Sequence, residues 1–155
     1  MTETYAVADR ETLLSRSGLE FMQGMLSGDL PRPPIAHGMG YGLSLVEEGR
    51  VVFTGTPSEA HCNPMGGVHG GWYGTLLDSC MGCAVMTIVP KGRFYTTLEY
   101  KINITRALRP GMAITAEGLI DHAGRTTATA HGEIRGVAGG KLYATGTTTC
   151  LIMEG

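Results

Sequence analysis

Asn63-Pro64-Met65-Gly66-Gly67-Val68-His69-Gly70-Gly71 runs directly into Trp72-Tyr73-Gly74-Thr75-Leu76-Leu77-Asp78. The stretch reads as a glycine-rich loop, a histidine and the entry of an apolar helix spanning about Val68 to Ile88. Asp78 is the one carboxylate inside that helix. Burying a carboxylate there is costly unless its charge is used or compensated. Glycines at a helix start bare the orphan N–H groups, which suit a developing negative charge. Donors at the helix mouth and a carboxylate in its middle are the parts of a hydrolytic acyl-transfer site.

The spacing carries a quaternary expectation. His69 and Asp78 are nine positions apart, about 900° of helical rotation and roughly 13 Å along the axis. Their side chains are therefore expected on opposite helix faces, where one helix cannot aim both at one substrate atom. Asp78 of one subunit is expected to face His69 and Gly70 of another across a two-fold axis.

Outward from this helix, residues from about Glu11 to Leu26 read as one moderately amphipathic helix, ended by Gly28 and Pro31-Arg32-Pro33-Pro34. Tyr41 to Glu47 and Val51 to Thr56 read as a hairpin. After Pro90-Lys91-Gly92 the period becomes two: Leu98, Tyr100, Ile102 and Ile104 alternate with Thr97, Glu99, Lys101 and Asn103, a long half-buried strand. Met112 to Ile120, Arg125 to Val137 and Lys141 to Ile152 supply three further strands. These four are expected as consecutive hairpins of one antiparallel sheet covering the long helix. Gly74 and Gly82, on one helix face, are expected to admit a neighbouring backbone. The fold class is α+β: one antiparallel sheet wrapped around one central helix, plus an N-terminal helix. A single domain spans 1–155, with an N-terminal extension at 1–36 and the core at 40–152.

Composition narrows the function classes. Net charge is −2, and no basic stripe with interleaved aromatics marks a nucleic-acid partner. The start, Met1-Thr2-Glu3-Thr4, has no apolar signal region, and no run suits a bilayer span, so a cytoplasmic protein without a membrane partner is expected. Cys62, Cys80, Cys83 and Cys150 read as small core residues: Cys80-x-x-Cys83 lies deep in the helix, away from the N-terminus that activates thiolates. No histidine or cysteine spacing suits a metal, and none is expected.

The pattern Asn63…Gly66, His69-Gly70-Gly71, Leu77-Asp78, with Thr97-Leu98-Glu99 and Arg106…Arg109-Pro110-Gly111, resembles the hotdog-fold thioesterases of the phenylacetic-acid-degradation type. The resemblance covers roughly 40 to 152. It implies hydrolysis of acyl-CoA thioesters without metal or cofactor, by homodimers often paired into homotetramers. By the same resemblance, Asp78 matches the catalytic nucleophile or general base and Gly70 the oxyanion-hole N–H. His69 and Asn63 match the residues around the thioester carbonyl and water, and Thr97, with Thr96 as the alternative, the hydroxyl that orients Asp or water. Gly71 and Thr96 are further candidate substrate contacts. Trp72 and Tyr73 stand where the family commonly has small residues, which implies a narrowed acyl pocket. The CoA phosphates need cations, for which Arg93, Arg106 and Arg125, with Lys91 and Arg109, are candidates. Two other readings stay open: a hotdog hydratase or dehydratase, and a non-catalytic acyl-CoA-binding protein.

Overall fold

The computed structural model describes residues 4–155. The N-terminal helix expected over 11–26 is broken in two. In α1 (Arg10–Leu14) the Thr12 N–H donates to the Asp9 carboxylate at 2.6 Å. The second helix, α2 (Gly18–Ser27), begins at a capping box: the Glu20 N–H donates to Ser17 Oγ and the Ser17 N–H to the Glu20 carboxylate, at 3.2 and 2.8 Å. That Ser-x-x-Glu signature holds Ser17 in extended backbone and prevents one helix from running through it. The proline run does more than end a helix. Pro34 opens α3 (Pro34–Met39) at the first helical position, where a missing N–H costs nothing.

Next come the expected hairpin, β1 (Tyr41–Glu47) and β2 (Arg50–Gly55), a 3-10 turn at Glu59–His61, and the central helix α4 (Gly70–Met86). The remaining strands are β3 (Arg93–Ile104), β4 (Ile114–Ala123), β5 (Thr127–Gly136) and β6 (Leu142–Glu154). All six form one antiparallel sheet in the order β1-β2-β4-β5-β6-β3. The expected β3–β4 hairpin does not exist; β3 pairs with β6 at the sheet edge. The connection is held elsewhere: the Leu108 N–H donates to Tyr73 Oη at 2.6 Å, tying segment 105–113 to the first turn of α4. β4 thereby enters beside β2.

The sheet curls around α4, whose Leu76, Leu77, Cys80, Met81, Ala84 and Val85 are fully buried. The close backbone approach lies on the sheet, at Gly118, where a Cβ would fall 2.2 Å from the Cys80 carbonyl oxygen. Gly74 and Gly82 serve another purpose than the one expected. They receive the aromatic rings of Tyr100 and Tyr95, because α4 lies alongside edge strand β3 and meets its side chains. No helix among the described residues is long and apolar enough to cross a membrane.

Candidate active site

Four-residue spacing on α4 sets the site. Gly70, Gly74, Asp78 and Gly82 form one line along the helix, and β3 runs beside it in the opposite direction. Gly70 faces Ile104, Gly74 faces Tyr100 and Ile102, Asp78 faces Thr97, and Gly82 faces Tyr95. Asp78 thus occupies the one place on this line where a side chain replaces a glycine.

Thr97 reaches it because β3 is not regular. The β3–β6 register shifts between Thr97 and Glu99, leaving Leu98 as an extra, 57 % exposed residue. The alternation expected to bury Leu98 is reset at this bulge. Tyr95 and Thr97 face α4 on one side of it, and Tyr100 and Ile102 on the other. Thr97 Oγ1 donates to Asp78 Oδ1 at 2.9 Å, whereas Thr96 lies on the opposite strand face and is exposed. Asp78 is half-buried and pairs with no cation among the described residues. Next to it, Tyr41 Oη and Ser79 Oγ share a hydrogen bond of 2.9 Å, and burial pushes the Tyr41 phenol up to about 12.

His69 is the N-cap of α4, in extended backbone (φ −62°, ψ 140°), so the helical wheel does not run through it. The Gly71 N–H donates to His69 Nδ1 at 2.8 Å, which places the neutral ring's proton on Nε2. The ring therefore folds back over Gly71, seven residues and nearly two turns before Asp78 on the same side of the helix. The expected opposition of the two side chains does not hold, but the axial separation does. With Gly71 tied to the cap, the Gly70 N–H is left without a hydrogen bond among the described residues.

Asn63 builds the loop that precedes this turn. Its Oδ1 accepts from the Met65 and Gly67 N–H groups at 2.9 and 3.2 Å, and its own N–H donates to the Gly67 carbonyl at 2.8 Å. Two N–H donors fix the amide oxygen, and the NH₂ group makes no hydrogen bond among the described residues. Asn63, Gly70 and Arg106 line one hollow of about 400 Å³ beneath the start of α4. His69 and Gly71 line a second hollow, of about 330 Å³, with Trp72 and Thr75. Trp72 and Tyr73 are buried loop anchors: Trp72 Nε1 donates to the Met39 carbonyl at 2.9 Å.

The proposed cations fall into two groups. Arg106 shares the hollow with Gly70. Arg93 and Arg125 meet at the far end of β3, where Arg93 donates to the Arg125 carbonyl at 3.1 Å and pairs with Glu154. One chain therefore brings Asp78 to Thr97 and Gly70 to Asn63 and Arg106, and keeps the two sets eight helical residues apart.

A family model described as the thioesterase superfamily matches residues 65–143, which hold the His69-Gly70-Gly71 helix entry, Asp78 and Thr97. The chain belongs to the thioesterase superfamily. Its fold is the hotdog fold. A phenylacetic acid degradation-related protein of Ralstonia eutropha is 28% identical with a TM-score of 0.77, over 84% of this chain and 98% of that one. The phenylacetic acid degradation protein PaaI of Thermus thermophilus, solved as a mutant, is 27% identical with a TM-score of 0.70, over 76% and 97%. A hypothetical thioesterase of Streptococcus pneumoniae, solved with coenzyme A, is 28% identical with a TM-score of 0.68, over 74% and 90%. A comparison with curated proteins finds no match.

Near the candidate site, sequence reasoning missed three features: the Tyr95 ring over Gly82, the Tyr41–Ser79 pair and the Tyr73 anchor. Tyr95 was findable as the same-face neighbour of Thr97, two residues before it. The other two depend on contacts across 38 and 35 residues of sequence, which no local pattern carries.

Proposed function

We propose that the protein is an acyl-CoA thioester hydrolase with two shared sites in a homodimer. One observation carries the reading: a half-buried carboxylate, Asp78, is held by a single hydroxyl donor and is left uncompensated by any cation among the described residues. The coenzyme A bound to the pneumococcal thioesterase supports the thioester as substrate.

Asp78 either attacks the thioester carbonyl carbon or takes a proton from a water that does so. In the first route a mixed anhydride forms, the CoA thiolate leaves, and water then cleaves the anhydride. In the second, water adds, the tetrahedral oxyanion collapses, and the thiolate leaves with the acid as co-product. In both, negative charge grows on the carbonyl oxygen, and the unoccupied Gly70 N–H at the α4 terminus is suited to receive it. Eight residues of helix hold Asp78 and Gly70 of one chain about 12 Å apart, too far for one carbonyl group. A second copy supplies the missing half, with its Asn63, His69 and Gly70 against Asp78 of the first. Arg106, which lines the Gly70 hollow, is the candidate cation for the CoA moiety.

Release of CoA thiol from acetyl-, octanoyl-, phenylacetyl- and benzoyl-CoA tests the reading. Hydrolysis of at least one is expected, reduced about 100-fold or more in Asp78→Ala with the fold retained. Full activity in that variant, or none in wild type, overturns it. Absorbance loss from an enoyl-CoA without thiol release would instead favour a hydratase.

A further inference from the structure

Further along α4 than Asp78 lies a cavity of about 310 Å³. Cys83 and Met86 of α4 form its floor and Tyr95 of β3 one wall. The N-terminal segment closes the other side with Ala8, Phe21 and Met25. These walls are built in advance. The α2 capping box is complete, the Gly18 N–H donates to the Val89 carbonyl at 2.9 Å, and the Ala6 N–H donates to the Arg32 carbonyl at 3.0 Å. The volume lies at the lower end of the range for small-molecule pockets.

Among the described residues, every side chain lining this cavity is apolar or a thiol except one. Tyr95 shares a strand face with Thr97, and its ring lies over Gly82, one helical turn past Asp78. A Cβ on Gly82 would fall 2.6 Å from the Tyr95 hydroxyl oxygen. That hydroxyl makes no hydrogen bond among the described residues, and Tyr95 lines the cavity. Burial pushes the phenol well above its ordinary value, with the Cys83 thiol, the Cys150 thiol and Asp78 adding to the effect. It therefore stays a neutral donor. A largely buried hydroxyl with no partner is a cost unless a ligand supplies the acceptor.

We infer that this cavity takes the acyl group of the thioester, and that Tyr95 reads an oxygen on the third acyl carbon of a medium-length chain. The inference rests on the thioesterase reading above. One turn of helix, about 5.4 Å, separates the Asp78 and Gly82 levels. That matches the span from a carbonyl carbon at Asp78, through the third carbon, to a hydrogen-bond partner at Tyr95. The N-terminal walls fall outside the matched family region 65–143, whereas the floor and Tyr95 lie inside it.

The test uses acetyl-, octanoyl- and 3-hydroxyoctanoyl-CoA for hydrolysis, and the uncleavable thioethers S-ethyl- and S-octyl-CoA for binding by calorimetry. Ala8→Trp fills the cavity from one side and Cys83→Phe from the floor, so the result does not hang on one variant folding. Each is expected to weaken S-octyl-CoA binding and raise the octanoyl KM by about tenfold or more, leaving the ethyl and acetyl compounds within about threefold. Tyr95→Phe is expected to lower kcat/KM for 3-hydroxyoctanoyl-CoA about tenfold while sparing octanoyl-CoA. Equal binding of the two thioethers to wild type, or equal damage to short and long acyl groups, overturns the acyl site. Equal loss on both eight-carbon substrates in Tyr95→Phe overturns the oxygen reading. Tight S-octyl-CoA binding that the filling variants abolish, with no thioester cleaved, sinks the hydrolase reading and keeps the cavity as an acyl site.

Discussion

Thr97 has one hydroxyl proton, and it is committed to Asp78 Oδ1. The bond fixes one carboxylate oxygen and leaves the second to act on a substrate or a water. A hydrogen bond to a charged group contributes about 1.5–3 kcal/mol, so its removal is felt without abolishing the carboxylate. Thr97→Ala is expected to lower kcat about 10- to 100-fold with little change in KM, and Thr97→Ser to stay within a few-fold of wild type. Steady-state thiol release checks both, and an Ala variant at full rate would assign Thr97 to packing alone. The choice between Thr96 and Thr97 was not legible in the sequence. Alternation tells which residues share a face, but Leu98 bulges, and a bulge resets the face without leaving a compositional mark. Asp78 and Gly70 were legible as candidates, because a lone charge in an apolar helix and glycines at its mouth each break a local rule. His69 was legible as a residue of interest but not in its direction, since a capping side chain obeys the geometry of the turn and not that of the helix.

Along α4, glycine means two different things in two different surroundings. Gly74 faces the hydroxyl end of Tyr100, an edge-strand side chain 46 % exposed, and a Cβ there would lie 3.3 Å from that oxygen. Gly118 faces the Cys80 carbonyl at 2.2 Å and Met81 N at 2.7 Å, the backbone of the central helix itself. Tyr100 can swing aside, and alanine gains up to about 1 kcal/mol of helix propensity over glycine. Helix backbone wrapped by a sheet cannot move, and overpacking costs about 1–3 kcal/mol or more. Gly74→Ala is therefore expected to leave the melting temperature unchanged or raised, and Gly118→Ala to lower it by several degrees; a thermal melt of both variants decides. The elements themselves were largely legible: the long apolar run, the β1–β2 hairpin and the later strands lie close to where periodicity puts them. Strand order was not. The β3–β4 connection is held by long-range bonds, among them Leu108 to Tyr73 and Gly111 to Pro57, and period-two patterns report faces, never neighbours. The α1–α2 break was present in the sequence as Ser17-x-x-Glu20 and was outweighed by the apolar residues on either side.

At the scale of the whole molecule, β3 is an edge strand of twelve residues with Leu98, Tyr100 and Ile104 exposed at 57, 46 and 46 %. Long, apolar edges invite pairing with another chain. A dimer in which each site takes Asp78 from one subunit and Gly70 from the other makes a prediction that no single-chain site shares. The Gly70 N–H can be deleted without disturbing the helix: Gly70 is the first residue of α4, where proline is favoured, and His69 already has the extended backbone that a following proline requires. A Cβ at this position meets only Ile104 Cδ1, at an ordinary 3.4 Å. Gly70→Pro is expected to lose about 100-fold or more in kcat, the usual effect of removing one oxyanion donor, with an unchanged melt. Asp78→Ala is similarly inactive. Mixed and allowed to exchange, the two variants form heterodimers in which one site has lost both groups and the other has kept both. Random pairing makes half the dimers mixed, with one intact site of two in each, so about a quarter of wild-type activity returns. If each site were built within one chain, every site in the mixture would carry a lesion, and thiol release would stay at the level of the separate variants.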